Sequence, residues 1–280
     1  MTDNLAIITS GGGLRCSFGV GVMLALAEQF GIDKPSYLIS CSGSAGTGSY
    51  FVSKQYESIR NIWSNLLSTK QFVRISRFWK MIDIDYLIDT VFKKQAQLDL
   101  ETFHSSPIHY LIPALNRQTG EVNYFSNRDE QIDIYEVMRA TKAMPIAFKL
   151  NPKVNINDST YCDSCLSSSA ENHLEKAIEL GAEKVLMVNN SVKSSSDDFE
   201  DKFFRLWVSA QTKYFRRNYA QAELKARDYL SPREIELFNI RPKEPLAVST
   251  LNNNQESLIA TIRQGYQETS SNRELADFLR

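Results

Sequence analysis

The chain has 280 residues, 42% of them apolar and 23% charged, with a formal net charge of -1. That size and mix describe one globular α/β domain with a large core, and the near-zero charge excludes a global attraction to nucleic acid. No run approaches the ~20 apolar residues of a membrane-spanning helix. The N-terminus carries no basic leader, and Cys16, Cys41, Cys162 and Cys165 suit reduced thiols, so the cytoplasm is the expected compartment.

Leu5 to Ile8 reads as a buried strand. It runs into Gly11-Gly12-Gly13-Leu14-Arg15-Cys16, and from Ser17 to Gln29 apolar residues return at helical spacing, with Phe18, Val22 and Leu26 on one face. Two chemistries use a strand, a glycine loop and a helix in that order. A dinucleotide site needs G-x-G-x-x-G, and here Gly11 and Gly13 fit while Cys16 takes the third place. The other is an oxyanion hole, in which glycine N–H groups face the charge of a tetrahedral intermediate. A tight turn without chemistry also fits.

A second strand, Tyr37-Leu38-Ile39, leads into Ser40-Cys41-Ser42-Gly43-Ser44-Ala45-Gly46. A serine on a sharp strand-to-helix turn needs small residues two before and two after it, and Ser44 has Ser42 and Gly46 there, with Gly43 and Ala45 between. Such an elbow exposes the hydroxyl above a helix N-terminus, whose N–H groups favour developing negative charge. A plain connector remains the alternative for this stretch taken alone.

Residues 55–68 and 82–92 have helical patterns, and Asp83, Asp85 and Asp89 on the second read as a solvated face. Between them, Phe72 to Met81 mixes large apolar groups with cations, suiting a packed insertion or a segment at a membrane surface. His104 and His109 flank a turn at Pro107, and none of the three histidines stands in a catalytic context. A helix over 135–142 ends at Ala143-Met144-Pro145, and strand signals over 154–161 lead to Asp163. Cys162 and Cys165 lack the second ligand pair that a zinc site requires, so no metal is expected. A helix closed by Gly181 precedes the apolar strand Lys184 to Val188. Residues 199–230 read as a long, partly basic helix, followed by a strand over 235–240 and a helix over 255–266.

The glycine loop with Arg15, the elbow around Ser44, and Asp163, in that order, resemble the patatin-like phospholipase family, whose pattern is G-G-G-x-[R/K]-G, G-x-S-x-G and D-G-[G/A]. Met138 to Pro145, Ala177 to Ala182, and Ile240-Arg241-Pro242 with Gly265-Tyr266 extend the likeness. It covers residues 5–190 well and the rest loosely. The resemblance implies a Ser–Asp dyad: Ser44 as nucleophile, Asp163 as base, and Gly12 and Gly13 with Arg15 as oxyanion hole, supported by Gly11, Ser42, Gly43 and Gly46. It implies a lipid or lysolipid substrate, an acyl-enzyme, no cofactor, and a cytoplasmic protein with room for peripheral membrane contact.

Three departures stand out: Ser42 and Cys16 occupy glycine positions of the pattern, and Ser164-Cys165 follow Asp163. They keep open a catalytically silent relative that binds lipid or a protein partner, and the first loop keeps open, as the lesser rival, a dinucleotide-binding oxidoreductase. The expected architecture is a single α/β domain over residues 1–280, a mostly parallel sheet flanked by helices as a three-layer sandwich, with core motifs in 5–190 and an extension over 199–280.

Overall fold

The computed structural model describes residues 4–77, 79–145, 147–164, 172–192, 206–227 and 235–280. Among them, eight strands form one sheet: β1 (Leu5–Thr9), β2 (Tyr37–Ser40), β3 (His109–Asn116), β4 (Val122–Ser126), β5 (Val154–Ile156), β6 (Ser159–Asp163), β7 (Lys184–Val188) and β8 (Glu236–Ile240). Their order is β5-β6-β3-β2-β1-β7-β8, with β4 on the other edge of β3. The pairings β3–β2–β1–β7–β8 are parallel, and β3–β4, β3–β6 and β6–β5 are antiparallel.

The apolar runs of the parallel strands are explained by burial on both faces. Leu5, Ile7, Leu38 and Leu186 join one core, while Ala6, Ile8, Ile39, Val185 and Met187 join the other, in the alternation a strand imposes. The larger core is covered by α1 (Ser17–Gln29), α2 (Ser44–Val52), α3 (Tyr56–Asn61), α4 (Leu100–Ser105), α5 (Ile134–Thr141) and the helix Gln255–Ser270. The smaller is covered by α6 (Asn172–Glu179), through Leu174 and Ala177. Helices on both faces make the expected three-layer sandwich.

The C-terminal helix is joined to α1 by a close backbone approach. A Cβ on Gly21 would lie 2.0 Å from the Ile262 carbonyl oxygen, and one on Gly265 2.1 Å from that of Phe18. Only glycine fits at either point, and the contact anchors the end of the chain against its first helix.

Strand β3 sets the geometry of the site. Leu111 pairs with Ile39 on one edge and Ser126 on the other, and Ala114 pairs with Asp163 and Asn123. Strands β2 and β6 therefore share an edge of β3, one parallel to it and one antiparallel, with their C-terminal ends facing. Leu111 and Ala114 are three residues apart, so the end of β2 and Asp163 are separated by roughly 10 Å along the strand. The elbow after β2 fills that gap.

Two expectations change in detail. The helical turn expected over 82–92 is a wide, π-type helix over Tyr86–Gln95. Its carboxylates are paired rather than merely solvated: Asp83 with Arg77 and Lys80, Asp85 with Lys80 and Arg139, Asp89 with Lys93 and Arg139. Apart from Lys93 on the helix itself, the cations come from α5 and from a short hairpin, so a local reading of the helix could not see most of them. In that hairpin Val73 bridges Ile82 and the Arg74 N–H donates to Met81. Phe72 and Val73 are buried, while Ile75 and Trp79 are exposed. Of the long basic stretch, the helix Lys213–Arg227 is described, with Phe215 buried and Tyr214 exposed. Cys165 and residues 193–205 lie outside the described residues.

Candidate active site

The loops after β1, β2 and β7 meet at the C-terminal ends of the parallel strands, where ligands of open α/β sheets bind. After β1, Gly12 and Gly13 take φ of 139° and 58°, left-handed values that glycine adopts without penalty, and a 3-10 turn over Gly13–Cys16 follows. The Leu14 N–H donates to the Thr250 carbonyl and the Arg15 N–H to the Gly12 carbonyl. Among the described residues, the Gly12 and Gly13 N–H groups make no hydrogen bond and remain available to a ligand. The Arg15 side chain folds beside Gly12, and its buried Nε has no partner among the described residues.

The elbow after β2 divides its two serines. Ser42 holds a φ of 48°, in the left-handed region that serine rarely enters, and Ser44 is already the first residue of α2. The Ser42 hydroxyl donates to Asp163 Oδ2 at 2.7 Å. The Ser44 hydroxyl donates instead to the Ser10 carbonyl at 2.7 Å and accepts from Asn190 Nδ2 at 3.3 Å. The sequence reading expects Ser44 to face the aspartate, and Ser42 does so. The cause is where the turn falls: β2 ends at Ser40, the sharp φ falls on Ser42, and Ser44 packs back against the loop after β1. The small-x-Ser-x-small pattern also reads in a frame two residues earlier, Ser40-Cys41-Ser42-Gly43-Ser44, and that frame carries the geometry.

Both Ser42 and Asp163 are buried and line an apolar cavity of about 90 Å³. Tyr50, Ile59, Ile62, Trp63, Leu67, Phe72, Ile82, Ile84, Leu87 and Phe92 form most of its wall, with Gly13, Gly43, Gly46, Lys142 and Met144 completing it. His104, His109 and His173 are not among its lining; His173 is held by the Tyr124 hydroxyl at 2.8 Å. Cys16 packs against Gly43 in the glycine position of the loop pattern, and burial pushes its thiol up to about 11, so it stays neutral. No group of three or more metal-ligating side chains occurs among the described residues.

Two residues that sequence reasoning missed hold this site. Asn190, just after β7, donates from Nδ2 to the Ser10 carbonyl at 2.7 Å and to Ser44, and its Oδ1 accepts the Gly19 N–H at 2.9 Å. Lys142, at the end of α5, donates to the Ser42 carbonyl at 2.9 Å. Their partners are 100 or more residues away, and no local pattern announces either one.

The family model for patatin-like phospholipase matches residues 7–170, a span containing the glycine loop, both serines and Asp163. Among solved structures, VipD from Legionella pneumophila is similar in fold, with a TM-score of 0.55 at 12% identity. The match covers 99% of this chain and 66% of that one, so the chain spans just under two thirds of that neighbour's length. No curated protein matches the chain.

Proposed function

The chain belongs to the patatin-like phospholipase family, and on that premise we propose that it hydrolyses acyl esters of lipids or lysolipids, with Ser42 as nucleophile and Asp163 as base. Membership supports lipid hydrolase activity generally; the serine mechanism and the choice of serine are our reading. The observation that carries it is the 2.7 Å hydrogen bond from the Ser42 hydroxyl to Asp163 Oδ2 in an otherwise apolar cavity.

In the reaction, Asp163 takes the hydroxyl proton as Ser42 Oγ attacks the ester carbonyl. Negative charge develops on the carbonyl oxygen, within reach of the Gly12 and Gly13 N–H groups and of the Gly43 N–H that follows the nucleophile. Collapse expels the alcohol, which takes the proton from Asp163, and leaves the acyl group on Ser42. A water that gives its proton to Asp163 then attacks the acyl carbonyl. The fatty acid leaves, and Ser42 recovers its proton from Asp163. The apolar cavity accepts the acyl chain.

Peripheral contact with a lipid surface belongs to the same reading. No helix among the described residues is long and apolar enough to cross a membrane. The hairpin whose Phe72 and Ile82 line the cavity exposes Ile75 and Trp79 at its tip, beside Arg74. Tryptophan favours such apolar–aqueous boundaries.

The test uses p-nitrophenyl acyl esters of graded chain length and a serine-directed fluorophosphonate on wild type, Ser42→Ala and Ser44→Ala. Ser42→Ala is expected to lose labelling and at least ~10³-fold in kcat, while Ser44→Ala keeps both. The reverse pattern would return the nucleophile to Ser44, the member that the elbow pattern first suggests. A folded wild type that neither turns over nor labels would make the chain a silent lipid- or partner-binding relative.

A further inference from the structure

Lys142 is 5% exposed and lines the cavity beside the proposed reacting pair. A buried ammonium is costly unless it is hydrogen-bonded and charge-balanced. Its hydrogen bond goes to the carbonyl oxygen of Ser42. The preceding residue, Thr141, accepts the Ser42 N–H on its Oγ1 at 3.1 Å, and the next, Ala143, accepts the Asp163 N–H on its carbonyl at 3.2 Å. Three consecutive residues at the end of α5, Thr141 to Ala143, thus grip Ser42 on both sides of its left-handed backbone and fix the backbone of Asp163. A serine at positive φ persists only where its surroundings hold it.

Charge gives Lys142 a second task. Among the described residues lining the cavity, Lys142 and Asp163 are the charged ones, and both hydrogen-bond to Ser42, the ammonium at its carbonyl and the carboxylate at its hydroxyl. We propose that Lys142 is a positioning residue: it clamps the Ser42 carbonyl and supplies the countercharge that keeps Asp163 ionised inside an apolar cavity. The proposal rests on the assignment of Ser42 and Asp163 above.

Among the described residues, other titratable groups near the site are neutral or lie outside the cavity lining. On the 3-10 turn, Cys16 is neutral because burial pushes its thiol up to about 11, and Arg15 beside it lies outside the cavity lining. On β6, burial pushes the Cys162 thiol up as well, and Arg117 after β3 acts on that thiol. On α2, burial pushes the Tyr50 phenol up and keeps it neutral. Among the described residues, the cation lining the cavity is Lys142.

The experiment measures kcat and KM against pH for wild type, Lys142→Met, Lys142→Gln and Lys142→Arg, with folding followed by circular dichroism. Removing an opposite charge raises a carboxylate's pKa, so the acid limb of kcat/KM moves up by ~1 pH unit in Lys142→Met and Lys142→Gln. Lys142→Arg keeps the wild-type limb. Loss of the clamp lowers kcat in Lys142→Met by ~10²-fold, with KM little changed, while the glutamine donor retains part of the rate. An acid limb that stays in place in the uncharged variants overturns the proposal, even if their rate falls. Should the methionine variant not fold, the comparison of glutamine with arginine decides the same point. Failure of the underlying assignment looks different: it appears in wild type, as activity and labelling that survive Ser42→Ala.

Discussion

The two halves of the sheet bring their contributions to the site in different ways. The parallel half, β1, β2, β7 and β8, delivers the glycine loop, the elbow and Asn190 from the C-terminal ends of neighbouring strands. Each loop follows its own strand directly, and short βα units of this kind leave a local imprint of an apolar run, small residues and a helical period. The antiparallel half delivers one group from a strand end, Asp163. That residue reaches the elbow because β6 meets β2 end to end along β3, at Ala114 rather than beside Leu111. The first half depends on connection and the second on register. A one-residue slip of β6 would turn Asp163 to the opposite face of the sheet, whereas the loops of the parallel half would remain where they are.

The largest expected effect comes from the residue that register positions. Asp163→Asn keeps size and hydrogen-bonding capacity but removes the proposed base, and on that proposal kcat/KM for a p-nitrophenyl ester should fall by at least ~10³-fold. The amide can still accept the Ser42 hydroxyl and sits on the same backbone, held by Ala143, so the melting temperature should change little. A variant that retains turnover would mean that the antiparallel half contributes structure rather than chemistry, and the contrast between the halves would collapse.

The same contrast explains what could be read from the sequence. The strands over 5–8, 37–39 and 184–188, the glycine loop and the helix over 17–29 are each found where apolar run and period put them. Gly181, with φ of 95°, closes α6 as a left-handed cap, as its place after the periodic residues suggests. The elbow was legible as a place, but which serine meets Asp163 was not. Ser42 and Ser44 both stand between small neighbours, and the choice between them depends on where β2 stops and on a partner 121 residues away. Lys142 and Asn190 were not legible. A lysine after a helix reads locally as a solvated cap, and an asparagine after a strand reads as a turn. Their roles exist only once α5 and β7 stand beside the elbow. The pairing of Asp85 and Asp89 was not legible for a related reason, because Arg139 reaches both from α5.

Next in size is a change in the parallel half that acts on packing rather than chemistry. Gly265→Ala places a methyl group 2.1 Å from the Phe18 carbonyl, inside the contact between α1 and the C-terminal helix. Backbone on both sides leaves little room to give, so the helices must separate. The cost should be ~1–3 kcal/mol of stability, read as a lower urea midpoint at an unchanged slope. Activity per folded molecule should remain near wild type, since the loops keep their own strands. If activity instead fell in step with the packing change, the site would depend on the C-terminal helix, and the parallel half would not be locally determined.

The sharpest variant for this comparison is at Asn190. One side chain ties three parallel-half elements together: the Ser10 carbonyl after β1, Ser44 at the start of α2, and the Gly19 N–H in α1. Asn190→Ala leaves the β1–β7 ladder and its extension, Ser10 N–H to the Val188 carbonyl, in place, so the strands stay paired. What is lost is the cross-brace between the glycine loop and the elbow, with buried polar groups left unsatisfied at a cost of ~1–3 kcal/mol. A loosened loop presents its N–H groups less well to the developing oxyanion, so kcat should fall by ~10-fold with KM little changed. Asn190→Asp separates the two roles of the side chain. It still accepts the Gly19 N–H, but it turns an oxygen toward the Ser10 carbonyl where a donor is needed. Its rate should therefore fall at least as far as that of the alanine variant, and its stability further, because a buried carboxylate then faces a carbonyl oxygen. If both variants turned over like wild type, each loop would be held by its own strand alone, and local connection would account for the parallel half without any cross-brace.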